Sequence, residues 1–255
     1  MDNSLSEEPI EKEIKEKAKQ EGGAIGETLS VVFQALILAV ILRTLLFQPF
    51  SIPSGSMKDT LLVGDYLFVS KFSYGYSKHS LPFAPDLFDG RIWSSDPERG
   101  DVAVFKFPPN PSIDYIKRVV GLPGEKIQMI DGVLHINGTP VKRERAGLFA
   151  DDETGQIVQS YKETLPNGVT YSTLDLNVSS TDNTRVFEVP EGHYFMMGDN
   201  RDNSSDSRLS AGFVPLENFV GKAQVVFFSI RNEKHPLAVW EWPENLRVSR
   251  FFTGL

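Results

Sequence analysis

The chain has 255 residues, of which 40% are hydrophobic and 24% are charged, and its net charge is −8. This length predicts one globular unit of roughly 200 residues with an appendage. The acidic balance argues against nucleic acid as a partner, because binding to the phosphate backbone requires a clustered basic face. The absence of cysteine excludes disulfides, thiolate zinc sites and a cysteine nucleophile.

A polar and highly charged segment, residues 1–27, comes first. Glutamate precedes lysine by four residues at several places in it, which favours a solvated helix. These pairs are Glu8/Lys12, Glu11/Lys15 and Glu13/Lys17. Pro9 and the pair Gly22-Gly23 predict that the helix is limited to a few turns. We therefore expect a charged arm that carries no functional site.

An apolar stretch, residues 28–48, follows the arm and has the length of a membrane-spanning helix. About 20 residues from Thr28 to Phe47 suffice to cross a hydrocarbon core of roughly 30 Å, and Arg43 near the end can reach the headgroups. A cleaved signal peptide fits poorly, because an acidic arm precedes the stretch and no Ala-x-Ala-like site follows it. A buried helix of a soluble protein is the other alternative.

The distribution of lysines predicts the orientation of this span. Lys58 is the first cation after it, whereas several lysines precede it. The preceding lysines are Lys12, Lys15, Lys17 and Lys19. The positive-inside rule then places the N-terminus in the cytoplasm and the rest of the chain outside.

Short β-rich runs bounded by turn signals dominate the chain after Pro49. The runs are Tyr66–Val69, Val102–Phe107, Tyr115–Val120, Lys126–Gln128, Val133–Ile136, Val186–Val189, Tyr194–Met197 and Ala223–Ser229. The sequence VLHINGTPV alternates around Asn137-Gly138, which predicts a hairpin. Residues 73–98 are predicted to form a protruding loop or ribbon, and the polar residues 145–185 a subdomain or insertion. Since long helical periodicity is absent here, we predict an all-β or mostly β domain.

A group of small polar residues, Ser54-Gly55-Ser56-Met57, lies just beyond the apolar stretch. Ser-Gly-Ser alone is more often a loop, and a serine hydroxyl becomes a good nucleophile only when a neighbouring base takes its proton. None of the four histidines lies in a Gly-x-Ser-x-Gly or comparable motif. A Ser-His-Asp triad that uses His193 stays open, because triads are recognised by geometry, whereas the Ser-Lys variant needs no histidine.

Lys117 lies in an apolar run that is predicted to be a strand. On a strand it shares one face with Tyr115 and Val119. If that face points inward, loss of water disfavours the charged amine and lowers its pKa. A neutral amine near pH 7–8 can serve as a general base. The alternative is a surface cation whose stem covers apolar side chains.

The segment Gly198–Arg208 is dense in Asp, Asn, Ser and Arg. It suggests a calcium loop, but counting from Asp199 puts Arg201 at the third position, and counting from Asp202 puts Phe213 at the twelfth. Both counts exclude an EF-hand. The composition instead predicts a buried polar turn whose side chains satisfy one another and can steady a catalytic amine.

These motifs together resemble those of bacterial type I signal peptidase, the Ser/Lys-dyad peptidases of family S26. The resemblance covers nearly the whole chain after residue 28. It is carried by the apolar span, P-S-G-S-M at 53–57, R-G-D-V-x-V-F at 99–105, Y-I-K-R-V-V-G-L-P-G at 115–124 and G-D-N-R-D-N-S-x-D-S-R at 198–208. Each motif is specific, and their order and spacing match those of the family.

The resemblance implies roles for individual residues and needs no cofactor or metal. Ser56 corresponds to the nucleophile and Lys117 to the general base. Ser54 corresponds to the hydroxyl that forms the oxyanion hole with the Ser56 amide, and Ser204 to the serine that orients the lysine amine. Asp206 and Arg208 correspond to residues that support the site.

The resemblance also implies a fold and a location. The expected fold is a catalytic domain of antiparallel β-sheet, residues 49–125 and 191–255, with an inserted non-catalytic β subdomain at 126–190. One transmembrane helix, residues 28–48, precedes it. We expect a single-pass protein of the bacterial cytoplasmic membrane, with the lipid bilayer as a partner.

The substrates implied by the resemblance are secretory preproteins with small residues at positions −1 and −3. An extended substrate can pair with a strand edge while shallow pockets accept small side chains. The residues implied to line this cleft are Phe50, Ile52, Pro53, Met57, Leu61, Tyr115 and Ile116.

The chain departs from the family pattern after the nucleophile box. Many relatives have proline two residues after the methionine, whereas here Met57 is followed by Lys58-Asp59-Thr60. Lys58 is therefore a second amine near Ser56, but it lacks an apolar flank. A second departure is the single N-terminal span, since some relatives have two.

Two other functions stay open: a related Ser/Lys processing protease with another substrate, and a non-enzymatic, membrane-anchored β module that binds peptides.

Overall fold

The computed structural model describes residues 8–81, 88–151, 154–176, 178–231 and 242–255, and for residues 8–25 and 243 it describes the backbone alone. Besides its strands, this part of the chain has two α-helices and several single 3₁₀ turns. The helices are α1 (Glu8–Leu45) and α2 (Trp242–Asn245). The 3₁₀ turns are Gly55–Met57, Lys78–Ser80, Arg201–Asn203, Leu216–Asn218 and Val248–Arg250.

Helix α1 is continuous through Gly22-Gly23, so the prediction of a helix limited to a few turns is wrong. Two glycines cost only about 1 kcal/mol each in a helix interior, and each further residue adds a backbone hydrogen bond. Its segment Gly26–Leu45 has 20 residues and a mean hydropathy of 2.0, which is long and apolar enough to cross a membrane. The helix ends before residue 48 because Phe47 already pairs with Ser70 in a sheet.

The largest sheet in the described residues has eight strands, in the order β1-β2-β14-β3-β4-β12-β13, with β15 beside β14. All of its pairings are antiparallel. The strands are β1 (Phe47–Ser51), β2 (Asp65–Ser70), β3 (Val102–Lys106), β4 (Asp114–Gly121), β12 (His193–Met197), β13 (Val214–Pro215), β14 (Phe219–Ser229) and β15 (Thr253–Gly254). Register shifts in β14 against both β2 and β3 mark bulges, and bulges bend a strand and curl the sheet.

Two smaller antiparallel sheets are formed by the chain between β4 and β12, in the orders β11-β5-β6-β7 and β10-β9-β8. Their strands are β5 (Lys126–Ile130), β6 (Val133–Ile136), β7 (Thr139–Pro140), β8 (Lys142–Ala150), β9 (Ile157–Thr164), β10 (Thr170–Asp175) and β11 (Phe187–Glu188). The hairpin predicted at Asn137-Gly138 is confirmed, and both turn residues have positive φ, 52° and 78°. The mostly β fold class is thus confirmed.

Strands β8, β9 and β10 lie in the polar region that the sequence left without strands. The assignment of 126–190 to a separate subdomain stays a prediction. One apolar cluster combines Ile127 and Leu134 of the intervening sheet with Val120 and Phe195 of the largest sheet. The predicted ribbon at 73–98 includes the bridge between Tyr76 and Ile92, and its residues 82–87 lie outside the described residues.

The pairing of β4 determines where the chain leaves an open strand edge. Strand β4 pairs with β3 along Asp114–Arg118, but with β12 only from Arg118 to Gly121. The backbone of residues 114–117 is therefore unpaired on the β12 side within the described part of the chain. Lys117 lies on this open half of the strand.

Phe219 tests how far the largest sheet depends on its buried aromatic side chains. Phe219 is completely buried and contacts Tyr74, Phe105 and Tyr194. We expect Phe219→Ala to lower the free energy of unfolding by about 3–5 kcal/mol, because it leaves a cavity that rigid neighbours cannot fill. The measurement is urea denaturation of the full chain in detergent micelles.

Phe252→Ala is the matched control, since Phe252 is 79% exposed. It is expected to change the free energy of unfolding by no more than about 0.5 kcal/mol. Equal effects of the two substitutions would contradict the packing described for Phe219.

Candidate active site

The 3₁₀ turn Gly55–Met57 presents the Ser56 hydroxyl directly after strand β1 and the extended residue Ser54. Met57 is completely buried and fixes the end of the turn in the core. Asn200 fixes its other side, because its backbone N–H donates to Ser56 O at 3.1 Å and its Nδ2 donates to Gly55 O at 3.0 Å. The hydroxyl is therefore held on a short, anchored turn.

Lys117 and Ser56 are in direct contact. Lys117 Nζ donates to Ser56 Oγ at 2.7 Å and to Ile116 O at 2.9 Å. The Lys117 side chain is only 4% exposed, and burial lowers its pKa to about 8, against the opposing influence of Asp206 and Asp199. A neutral amine at this distance can accept the serine proton.

The other predicted hydroxyls lie close to this pair but are not bonded to Lys117. Ser54 Oγ is 3.5 Å from Ser56 Oγ. Ser204 Oγ is buried without a hydrogen-bond partner in the described part of the chain. A Cβ placed on Gly198 would lie 2.2 Å from Ser204 Oγ and 2.5 Å from Ser56 O, so only glycine permits this close approach.

Asp206 and Arg208 stabilise the turn that carries Ser204. Arg208 donates Nε to Asp206 Oδ1 at 3.0 Å and Nη2 to Asp206 Oδ2 at 2.9 Å. Asp206 also accepts the Gly198 N–H at 3.0 Å, and Arg208 Nη2 donates to Arg201 O at 2.6 Å. Both side chains are almost entirely buried, so these charged hydrogen bonds hold the turn rigidly.

A second buried ion pair, between Arg118 and Asp199, was missed by the sequence analysis. Arg118 donates to the two carboxylate oxygens of Asp199 at 2.9 and 2.7 Å, and Thr60 Oγ1 donates to Asp199 Oδ2 at 2.5 Å. The pair joins strand β4, the residues after Ser56 and the 198–208 turn. Because neighbouring residues of a strand point to opposite faces, Arg118 was expected on the face opposite Lys117. No pattern in the sequence indicated that Asp199 would be its partner.

A cleft of about 650 Å³ opens at Ser56 and Lys117. Five of the predicted substrate-binding residues line it: Phe50, Ile52, Pro53, Tyr115 and Ile116. The sequence analysis missed other lining residues, namely Ser51, Val104, Ile113, Asp114, Asn203 and Ser205. Met57 and Leu61 are not among the lining residues; both are completely buried in the apolar cluster that also contains Ile52.

The histidine alternative is not supported by the contacts of His193, which lies outside the cleft lining. Its Nδ1 shares a hydrogen bond with Glu191 O at 2.9 Å. Within the described residues, no cluster of three or more His, Asp or Glu side chains is arranged to hold a metal ion.

Comparison with known proteins gives consistent matches. The family profile described as signal peptidase, peptidase S26, matches residues 25–228. Signal peptidase I of Rickettsia typhi is 44% identical over 86% of this chain and 90% of that protein. Signal peptidase I of Rickettsia massiliae is 46% identical over 93% of each.

A solved signal peptidase I from Enterococcus faecalis is 30% identical and covers 50% of this chain and 97% of its own, with a TM-score of 0.31. That overlap is too low to bear on the assignment, which rests on the family profile and the two relatives. The chain therefore belongs to the signal peptidase family, peptidase S26, the serine peptidases that remove signal peptides from exported preproteins.

Proposed function

We propose that the chain is a membrane-anchored serine endopeptidase that cleaves N-terminal signal peptides with Ser56 as nucleophile and Lys117 as general base. The observation that carries the proposal is the 2.7 Å contact between Lys117 Nζ and Ser56 Oγ in a buried site. Burial lowers the pKa of Lys117 to about 8, so a useful fraction of the amine is neutral near neutral pH. Family membership supplies the substrate class.

The substrate is proposed to bind as an extended strand in the cleft. The unpaired half of β4, residues 114–117, offers backbone donors and acceptors on one side, and the chain from Ser51 to Ser54 forms the other side. Strand addition to an open edge aligns a peptide through its main chain and leaves alternate side chains for pockets. This alignment brings the scissile carbonyl to Ser56.

Proton transfer then proceeds between two groups. Neutral Lys117 takes the Ser56 proton as Oγ attacks the scissile carbonyl, and the resulting ammonium gives that proton to the leaving amine. The Ser56 N–H and the Ser54 hydroxyl are proposed to stabilise the oxyanion. Water, deprotonated by Lys117, then attacks the acyl carbonyl, and the ammonium returns that proton to the departing Ser56 Oγ, which regenerates the hydroxyl and the neutral amine.

Ser204 is proposed to orient the Lys117 amine, with Asp206 and Arg208 as its support. Its buried hydroxyl lacks a partner within the described residues, which leaves it available for a bond that forms with bound substrate. Catalytic hydrogen bonds are often long or absent before substrate binds and tighten in the complex.

The apolar walls of the cleft are proposed to select small residues at −1 and −3. Phe50, Ile52, Pro53, Tyr115 and Ile116 line it. Met57 and Leu61 are proposed to act from below, since completely buried side chains in a packed core limit how deep a pocket can be. Positions −1 and −3 of an extended peptide point to the same face, whereas −2 points away.

The apolar segment Gly26–Leu45 is proposed to anchor the chain in the bacterial cytoplasmic membrane. The lysines that precede it favour a cytoplasmic N-terminus and an extracytoplasmic peptidase. A shared membrane raises the effective concentration of a substrate whose signal peptide is itself apolar.

The first test removes each half of the dyad. Ser56→Ala and Lys117→Met are each expected to lower kcat for preprotein cleavage by about 10⁴-fold or more, because attack requires both the nucleophile and the base. Cleavage is measured by the shift from precursor to mature product. Ser112→Ala, at an exposed serine, is the control and is expected to cleave normally. Normal cleavage by Ser56→Ala would refute the nucleophile assignment.

The second test is the pH dependence of cleavage. Since only the neutral amine is a base, kcat/KM is expected to rise about tenfold per pH unit below pH 8 and to level off above it. The expected inflection follows from the lowered pKa of Lys117, about 8. Lys117→Arg is expected to be inactive at every pH, because arginine stays protonated. A rate independent of pH between about 5 and about 9 would contradict the base assignment.

The third test examines the pocket. Replacing alanine by leucine at −1 or −3 of a signal-bearing peptide is expected to lower kcat/KM at least about tenfold, because extra methylenes do not fit a shallow pocket. The same replacement at −2 is the control and is expected to change kcat/KM by less than about twofold. Equal losses at all three positions would argue against the proposed binding mode.

A further inference from the structure

Strands β8 and β9 contact the chain immediately after the nucleophile. Lys58 Nζ donates to both carboxylate oxygens of Asp151, at 2.9 and 2.8 Å. Lys58 is two residues after Ser56, and Asp151 directly follows β8. The two side chains are only 6% and 12% exposed, so the ion pair is largely screened from water. Buried charged pairs of this kind hold their geometry better than surface pairs.

The stem of Lys58 packs against the nucleophile turn itself. A Cβ placed on Gly55 would lie 3.1 Å from Lys58 Cε and 3.2 Å from Lys58 Cδ. The Lys58 N–H also donates to Gly55 O at 3.2 Å. Lys58 therefore covers Gly55 with its side chain and binds it through its backbone. A displacement of the Lys58 amine would be passed to the residue that precedes Ser56.

A second contact joins the same two regions. Asp59, the residue after Lys58, lies near the side chain of Ser160 on β9. Asp59 is partly buried, and burial raises its pKa. Consecutive residues after the Gly55–Met57 turn thus face one β hairpin: Lys58 is bound at its turn end, and Asp59 lies beside its strand β9.

We propose that Lys58 is a positioning residue, held by Asp151, that fixes the Gly55–Met57 turn so that the Ser56 hydroxyl meets the Lys117 amine. The inference rests on the proposed function, because it concerns the placement of the proposed nucleophile. It assigns strands β8 and β9 to the framework of the active site. The Lys58 amine donates to the Asp151 carboxylate, whereas the Lys117 amine donates to Ser56 Oγ, so the two amines have different partners.

The expected kinetic effect follows from what Lys58 does and does not touch. Lys58 is absent from the cleft lining, so substrate binding should be unaffected. A small displacement of a nucleophile lowers the rate of attack strongly, because the reacting atoms must be in register. Lys58→Met keeps most of the stem over Gly55 and removes the charge, whereas Asp151→Asn keeps the volume of the partner.

The experiment is a double-mutant cycle on the full chain with a signal-bearing peptide as substrate. Lys58→Met and Asp151→Asn are each expected to lower kcat about tenfold and to leave KM within about twofold. The double variant is expected to match the worse single variant, because both substitutions break the same pair. The midpoint of the pH profile should remain at that of the unmodified chain, since neither Lys58 nor Asp151 is among the groups that shift the pKa of Lys117.

Two further variants act as controls. Lys142→Met removes an exposed lysine from strand β8, whose ion-pair partner Glu144 is also exposed, and is expected to leave kcat unchanged. Lys58→Arg can bind the Asp151 carboxylate through two N–H groups and is expected to restore at least about half of kcat. Melting temperatures of all variants separate loss of fold from loss of rate, and if Lys58→Met does not fold, Asp151→Asn and Lys58→Arg decide the question.

Several results would overturn the inference. Unchanged kcat in both single variants, a double variant whose loss equals the product of the single losses, or an increase in KM instead of a decrease in kcat would each do so. Ser56→Ala in the same assay separates this inference from the proposed function. If Ser56→Ala is inactive while the Lys58 variants are normal, only the role of Lys58 fails; if Ser56→Ala cleaves normally, the proposed function fails.

Discussion

A lysine amine deprived of water beside a serine hydroxyl is the constraint on which the rest of the site depends. Burial lowers the pKa of Lys117 from its ordinary 10.5 to about 8. A lowered pKa means that folding disfavours the charged form, so the native state loses roughly 3 kcal/mol of stability at neutral pH. This cost is complete below pH 8 and disappears as the pH rises towards 10.5. The surrounding packing must offset it.

The carboxylates near Lys117 show how the site avoids restoring that charge. Asp206 and Asp199 both favour the ammonium form, and either one unpaired would raise the pKa of Lys117 further. Each is instead bound through two oxygens to its own arginine, Asp206 to Arg208 and Asp199 to Arg118. The two carboxylates thereby stabilise the turn, and the arginines offset most of their effect on the pKa of Lys117. A turn rich in charge can thus lie beside an amine whose pKa is lowered.

Much of the fold could be predicted from local sequence, and the failures have physical causes. Strand β4 contains a short run of aromatic and β-branched residues, and Asn137-Gly138 is a turn that only a few residue types can form, so both could be predicted. Strand β8 was missed because it is an edge strand with most side chains exposed, so its sequence lacks an apolar face. The prediction of a helix of only a few turns failed because the two glycines are unfavourable by themselves, but the helix continues beyond them into the apolar segment, which supports it.

The residues of the candidate site also fall into two groups, those that local sequence could predict and those that it could not. Ser56 and Lys117 could be proposed because each has a distinctive local setting, a small polar box and an apolar strand. Asp151 could not, because it is 93 residues from Lys58 and only the folded chain brings the two together. An ion pair between distant residues produces no local pattern in a single sequence. The sequence therefore shows which residues are charged, and the structure shows which of them are paired.

The chain around Ser56, the proposed nucleophile, is held from three directions, and this rigidity bears on the proposed selectivity. The 198–208 turn binds Gly55 and Ser56 through Asn200. Arg250, near the C-terminal end, donates to Thr60 O at 2.9 Å and to the buried Asp65. The β8–β9 hairpin binds the residues between them. A cleft wall fixed at so many points cannot widen for a larger side chain without breaking buried charged contacts, so the proposed selection of small residues depends on this framework as much as on the residues that line the cleft.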